Sequence, residues 1–161
     1  IITSGGVSVG EADFIREMMN RMGEVAFWKL AIKPGRPMAF GRIGDAVLFG
    51  LPGNPVAVMV TFYQFVQDAL LQLMGVAPLP APERFPVRAA FSMRKQPGRV
   101  EYLRGRLQRS SETLAVGLAG AQGSGVLSSM SEADCFVVLP ADCTAVQAGD
   151  TVLVQPFHGI V

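Results

Sequence analysis

The sequence predicts an α/β layer followed by a small all-β domain, and three observations carry that prediction. Up to about residue 75, β-rich runs alternate with helical ones; from Val76 to Pro86 the chain reads VAPLPAPERFP; beyond it, short β-like runs are separated by Gly, Ser and Asp. Proline fixes φ and removes a backbone donor, so the middle stretch is expected to be an extended linker. The expected boundaries are 1–75 for the α/β part, 76–86 for the linker and 87–161 for the β part.

Ile1-Ile2 reads as the end of a buried strand, so the chain is expected to be a piece that opens inside one. Thr3 to Gly10 is a Gly-rich turn, and Ala12 to Met22 carries apolar residues at 14, 15, 18, 19 and 22, one face of a helix. Gly23 stands where a helix C-cap glycine belongs. Val25 to Ile32 reads as one strand, whose period of two puts Lys29 and Lys33 on one side and Trp28, Leu30 and Ile32 on the other. Met38–Phe40 and Ala46–Phe49 read as strands joined by the turn Arg42–Asp45. Leu51-Pro52-Gly53-Asn54-Pro55 then opens an apolar helix over 55–74, with Asn54 as N-cap and Pro55 at the first helical position. Strand–turn–helix–strand followed by strand–loop–helix indicates a largely parallel sheet with helices. The later candidate strands, near 85–94, 100–109, 113–118, 135–139 and 151–156, suggest a small barrel or sandwich.

Composition narrows the function classes. Half of the 161 residues are hydrophobic and 17% are charged, against about 25% charged in ordinary domains. That balance excludes intrinsic disorder and predicts that part of the surface is normally covered. A net charge of +1 supplies no field for nucleic acid or an anionic membrane. No apolar run approaches the ~20 residues of a membrane span. Two cysteines, Cys135 and Cys143, and one histidine, His158, exclude a zinc finger and a disulfide scaffold. Without a signal-like segment, a cytoplasmic protein is expected.

Four patterns could carry chemistry. In Thr3-Ser4-Gly5-Gly6-Val7-Ser8-Val9-Gly10-Glu11-Ala12-Asp13, glycines between strand and helix let the backbone approach a ligand, and the helix start offers N–H groups to an anion. Ser4 and Ser8 add hydroxyls, and Glu11 and Asp13 would suit Mg²⁺ or a polar ring. Neither a Walker loop nor GxGxxG spacing is present, and a plain βα turn would use the same residues. In Lys29…Lys33-Pro34-Gly35-Arg36-Pro37, cations project from a proline-stiffened backbone; a polyproline path would put Lys33 and Arg36 on one face. The Leu51–Pro55 loop is either a helix start alone or also a pocket wall at the carboxyl ends of strands. Last, the basic residues from Arg84 to Arg109, including Arg104 and Arg106 on one strand face, make a solvated barrel face or, less in keeping with the few aromatics, a nucleic-acid groove. Cys135 lies in an apolar strand and reads as inert, His158 lacks a triad pattern, and Met18, Met19 and Met22 read as core.

Taken in order, SGGVSVGEAD, FWKLAIKPGRPMAFG, GLPGNPVA, PGRVEYLRG and AQGSGVLSSMSEADCF resemble the molybdopterin molybdenumtransferase family, that is MoeA and the E domains of gephyrin and its plant counterpart. The resemblance runs over essentially the whole chain. It implies half of a MoaB/MogA-like molybdopterin-binding α/β domain, mostly parallel, plus a small C-terminal β-barrel. The reaction implied is insertion of molybdate into adenylylated molybdopterin with release of AMP, assisted by Mg²⁺. Resemblance puts Lys29, Lys33, Arg104 and Ser124 near molybdate or the substrate phosphates, and Ser4, Gly5, Gly6, Ser8 and Asp13 in the pterin-binding turn. Pro52, Gly53, Asn54 and Pro55 shape its wall, and Asp13 is the candidate carboxylate for the metal. It further implies a homodimer in the complete protein, handover with other molybdenum cofactor proteins, no nucleic-acid or membrane partner, and a fragment inactive alone. The alternatives are a molybdopterin adenylyltransferase, against which the barrel and the LPGNP loop argue, and a gephyrin-like peptide-binding scaffold.

Overall fold

The computed structural model describes residues 1–5, 7, 17, 21–110 and 113–157, with the main chain alone for Phe27. They cluster into two compact units, residues 1–30 with 34–79 and residues 31–33 with 80–161. The predicted helix over 12–22 lies largely outside the described residues; Glu17, Arg21 and Met22 are helical, Arg21 pairs with Glu17 at 2.6 Å, and Met22 is exposed rather than core.

The first unit holds β1 (Ile2–Ser4), β2 (Glu24–Lys29), and, after the excursion through β3 (Ile32–Lys33), β4 (Pro37–Ile43) and β5 (Ala46–Leu51). The sheet order is β1-β5-β4-β2, with β1 parallel to β5 and the other two pairings antiparallel. For these four strands the expectation of a mostly parallel sheet therefore holds at one pairing only. The two-residue turn Gly44-Asp45 can join only antiparallel neighbours, and β4 then carries β2 on its other edge in the same sense.

One helix, α1 (Pro55–Leu73), covers a sheet face; its middle, Phe62–Val66, is a π-helical stretch. Val66 packs with Met38, Phe49 and Leu51, and Val56, Ala57 and Val60 are buried as well. Each of these side chains other than that of Ala57 contributes about 1.5–3 kcal/mol of burial. Thr61 spends its hydroxyl on the Ala57 carbonyl at 2.8 Å, which lets a polar residue sit fully buried. By length and composition α1 is long and apolar enough to cross a membrane, although no such run was expected from sequence; the polar Thr61, Gln64 and Gln67 interrupt the run without ending the helix. Its buried residues are Val56, Ala57, Val60, Thr61 and Val66, all before Gln67. Ile1 and Ile2, expected to be buried, are about half exposed, as are Trp28 and Phe40.

The second unit is a closed five-stranded barrel. Its strands are β6 (Phe85–Ala89), β8 (Val100–Arg109), β9 (Leu114–Leu118), β10 (Cys135–Leu139) and β12 (Thr151–Pro156), with short β7 (Met93–Arg94) and β11 (Ala145–Val146) pairing separately. Pairings β8–β10, β10–β12, β12–β6, β6–β9 and β9–β8 return to the starting strand, so no edge among the five is left open. Strand β6 begins at Phe85, so Pro86 lies in a strand rather than in the linker. Leu103, Val116, Val137, Val152 and Val154 fill the interior, and Cys135 with them.

Gly105 marks how tightly that interior is filled. A Cβ there would stand 2.8 Å from side-chain carbons of both Val116 and Val137 and 3.0 Å from the Cys135 sulfur. Gly105→Ala is therefore expected to destabilise the barrel by about 1–3 kcal/mol, read as a lowered midpoint of thermal unfolding. Gly125→Ala, at a position with nothing within 4 Å, should leave the midpoint nearly unchanged. Burial, with the Asp134 charge second, pushes the Cys135 thiol up to about 12. At pH 8, where Cys135 carries almost no thiolate, iodoacetamide is expected to modify partly buried Cys143 and spare Cys135 until the protein is unfolded.

Candidate functional site

In the first unit the Gly-rich turn and the LPGNP loop come together at the carboxyl ends of parallel β1 and β5. The Gly5 amide donates to the Leu51 carbonyl at 3.0 Å, and a Cβ on Gly53 would meet the Gly5 Cα at 3.6 Å. Gly5 has φ +88, the left-handed region in which glycine turns the chain without strain. Pro52 is buried and anchors the loop, while Ser4, Gly53, Asn54 and Pro55 are exposed around the junction. Asn54 takes the N-cap position with extended backbone (φ −75, ψ 128), and its carbonyl accepts the first helical bond from Val58 at 2.9 Å; its side chain makes no capping bond. Of the predicted turn residues, Gly6, Ser8 and Asp13 lie outside the described residues, as does His158.

The lysine pair does not share a strand face as expected. Strand β2 ends at Lys29, which is paired with Pro37; Leu30 turns its amide back to the Arg36 carbonyl at 2.7 Å. The segment 30–36 is thus a closed loop, and Gly35 at φ +102 supplies the reversal, so the polyproline path expected for Lys33 and Arg36 is not taken. Ile32 and Lys33 are instead captured as β3, parallel to β8, with Lys33 in register with Glu101. The Lys33 ammonium donates to Glu101 Oε1 at 3.2 Å; the lysine side chain is 54% exposed and the glutamate side chain 4%.

Arg104 belongs neither to a solvated barrel face nor to an open cation site. It is fully buried. Its Nε donates to Ser129 Oγ at 3.0 Å, and its Nη2 donates to the Ala121 and Gly123 carbonyls at 3.0 and 3.1 Å. Burial lowers its pKa from the ordinary arginine range. The main chain of the same residue is bracketed by Gln122, whose Oε1 accepts from the Arg104 amide at 2.9 Å and whose Nε2 donates to the Arg104 carbonyl at 3.2 Å. Arg104 and Gln122 therefore hold the Ala119–Val126 loop, which carries Ser124, against β8. Alternation along β8 puts Glu101 and Arg104 on opposite faces of that strand, so Lys33 and Arg104 are not brought together there.

Three residues of this arrangement escaped sequence reasoning as contributors: Glu101, Gln122 and Ser129. The usable signal for Glu101 was a carboxylate inside an otherwise β-rich run, which needs a cation once the strand is buried. Lys95, counted with the solvated cations, is buried, its ammonium donating to the Gln96, Ala141 and Cys143 carbonyls at 3.2 to 3.4 Å. Among the described residues no group of three His, Cys, Asp or Glu side chains stands together that could hold a metal ion.

The loop-holding role of Arg104 has a measurable consequence. Arg104→Lys cannot reach Ser129 and both carbonyls with one planar fork. Amides of 119–126 are expected to exchange with deuterium about tenfold or more faster in that variant, while those of β10 keep wild-type protection; unchanged exchange in the loop would remove this role.

Comparison with known proteins now gives the context of these two units. Residues 1–72 match the domain described as probable molybdopterin binding domain, and residues 86–157 match the MoeA C-terminal region (domain IV). The chain is 43% identical over 162 residues to molybdopterin molybdenumtransferase of Haemophilus influenzae, covering 100% of this chain and 40% of that protein. It is 33% identical to molybdopterin molybdenumtransferase 1 of Mycobacterium tuberculosis, covering 94% and 37% respectively. The solved structure of the molybdopterin biosynthesis MoeA protein from Pyrococcus horikosii superposes with a TM-score of 0.77 at 28% identity, over 98% of this chain and 37% of that one. The chain spans about two-fifths of the length of the curated relatives it matches. With both domains matched in tandem and that identity sustained from end to end, the chain belongs to the molybdopterin molybdenumtransferase family.

Proposed function

We propose that this chain forms part of an enzyme that inserts molybdate into adenylylated molybdopterin, yielding molybdenum cofactor and AMP. The observation that carries the reading is the junction of Ser4-Gly5 with Pro52–Pro55 at the carboxyl ends of two parallel strands. Ligands of open α/β sheets bind at such ends, and the start of α1 lies beside it. Gly6, Ser8 and Asp13 extend the same turn in sequence and complete the proposed pterin-phosphate cradle. Buried Pro52 and helix-starting Pro55 stiffen its wall, so little entropy is lost when the anion is held.

Molybdate and the substrate phosphates are all anions, and two unit charges 4 Å apart repel by about 4 kcal/mol at an effective dielectric of 20. Bringing them together requires cations already in place. Lys29 and Lys33, exposed at the ends of short strands, supply that charge by electrostatic preorganisation and proximity. Arg104 acts in this reading as a positioning residue, holding the loop that presents Ser124. The dithiolene sulfurs that accept molybdenum belong to the substrate, which agrees with Cys135 being buried and its thiol pushed up to about 12.

Mg²⁺ is part of the proposal with Asp13 as its carboxylate. The described residues contain no set of three ligating side chains, so no step is derived through the metal. A cytoplasmic homodimer that passes its product to other molybdenum cofactor proteins completes the reading, supported by the family resemblance. In the full-length protein, Lys29→Gln and Lys33→Gln are each expected to raise the molybdate concentration for half-maximal activity about tenfold, with the unfolding midpoint little changed. Unchanged molybdate dependence in both variants would overturn the oxyanion role.

A further inference from the structure

The Lys33–Glu101 contact contains more than a surface ion pair. Exposed pairs of flexible side chains contribute little, because both partners lose conformational freedom and water screens them. Here one partner is not flexible. Glu101 is flanked by strands near the start of β8, with β10 on one side at Leu139 and β3 on the other at Lys33, and its side chain is 4% exposed. A carboxylate in that position requires a cation, and the ammonium of Lys33 at 3.2 Å is the partner it has. Lys33 in turn is tied down by its main chain, through the Ile32–Lys33 pairing with Val100–Glu101 and through Val100, whose amide donates to the Ala31 carbonyl at 2.9 Å.

We propose that Glu101 is a positioning residue for Lys33: it takes one of the three ammonium hydrogens and thereby aims the other two at a bound oxyanion. The proposal rests on the reading of Lys33 as an oxyanion-binding lysine. A lysine has three donors, and 54% exposure of its side chain leaves room for an oxyanion on the solvent side while the buried side is fixed. Without Glu101 the four-carbon stem would be free among its rotamers, and the cost of ordering it would fall on anion binding.

The test uses the full-length protein with molybdate as the varied ligand, in wild type, Glu101→Gln, Lys33→Gln and the double variant. Glu101→Gln is expected to raise half-saturating molybdate about tenfold and to leave the rate at saturating molybdate within about twofold. In the Lys33→Gln background the same change should add nothing further, because the residue acts through that lysine. Glu101→Asp, which keeps the charge on a shorter stem, should recover part of the loss, and it replaces Glu101→Gln should the latter not fold. If Lys33→Gln impairs molybdate use while Glu101→Gln only lowers the unfolding midpoint, or if the two effects multiply, the positioning role is overturned and the oxyanion reading stands. If Lys33→Gln leaves molybdate use unchanged, that reading itself fails and takes the proposal with it.

Discussion

Strand β8 is the constraint on which the barrel depends. Its first half pairs with β10 through Glu101–Gly105, its second half with β9 through Gly105–Arg109, and β3 joins it at Val100 and Glu101. A strand of that length left open on one edge would present a row of unsatisfied main-chain groups, and closure of the five strands removes that edge. Closure has its own cost in room: the facing valines come so near that position 105 admits no side chain. Because the main chain of β8 cannot shift, whatever its side chains hold is held rigidly too.

Two charged groups use that rigidity in different ways. Arg104 is buried completely and spends its donors on the Ser129 hydroxyl and on two carbonyls of one loop, so its positive charge organises local structure. Glu101 is buried at the far end of the strand and spends its charge on a lysine that remains half in solvent. Burial of either ion alone would be costly, and each is tolerated because its polar atoms are met by hydrogen bonds. The first unit follows a different rule. There the Ser4-Gly5 turn and the Pro52–Pro55 loop meet as main chain and prolines, at the ends of strands and the start of a helix.

Much of this fold could be read from the residues. The helix over 55–74 was announced by Asn54-Pro55 and by its apolar run, and the barrel strands by alternation between glycine-rich turns; their observed bounds differ by a residue or two, apart from the run over 85–94, which divides into β6 and β7. The conjunction of the Ser4-Gly5 turn with the Pro52–Pro55 loop was likewise readable, since both were expected at carboxyl ends of strands. What failed was the continuation of one strand from Val25 to Ile32. Alternation persists across Leu30 and Ala31, but β2 ends at Lys29 and Ile32–Lys33 pair with β8 instead; period two carries no information about where a strand's partner lies.

The sequence by itself determined the local periods, the punctuation by proline and glycine, and the supply of cations beside glycine-rich turns, because these depend on neighbours within a few positions. Only the tertiary structure decided that Lys33 leaves the strand of Lys29 for a partner 68 residues away, and that Arg104 is sealed inside while Arg106, on the same face of the same strand, is exposed. Whether a charge ends in water or in a hydrogen-bonded interior is fixed by the segments that cover it, and those arrive from distant parts of the chain.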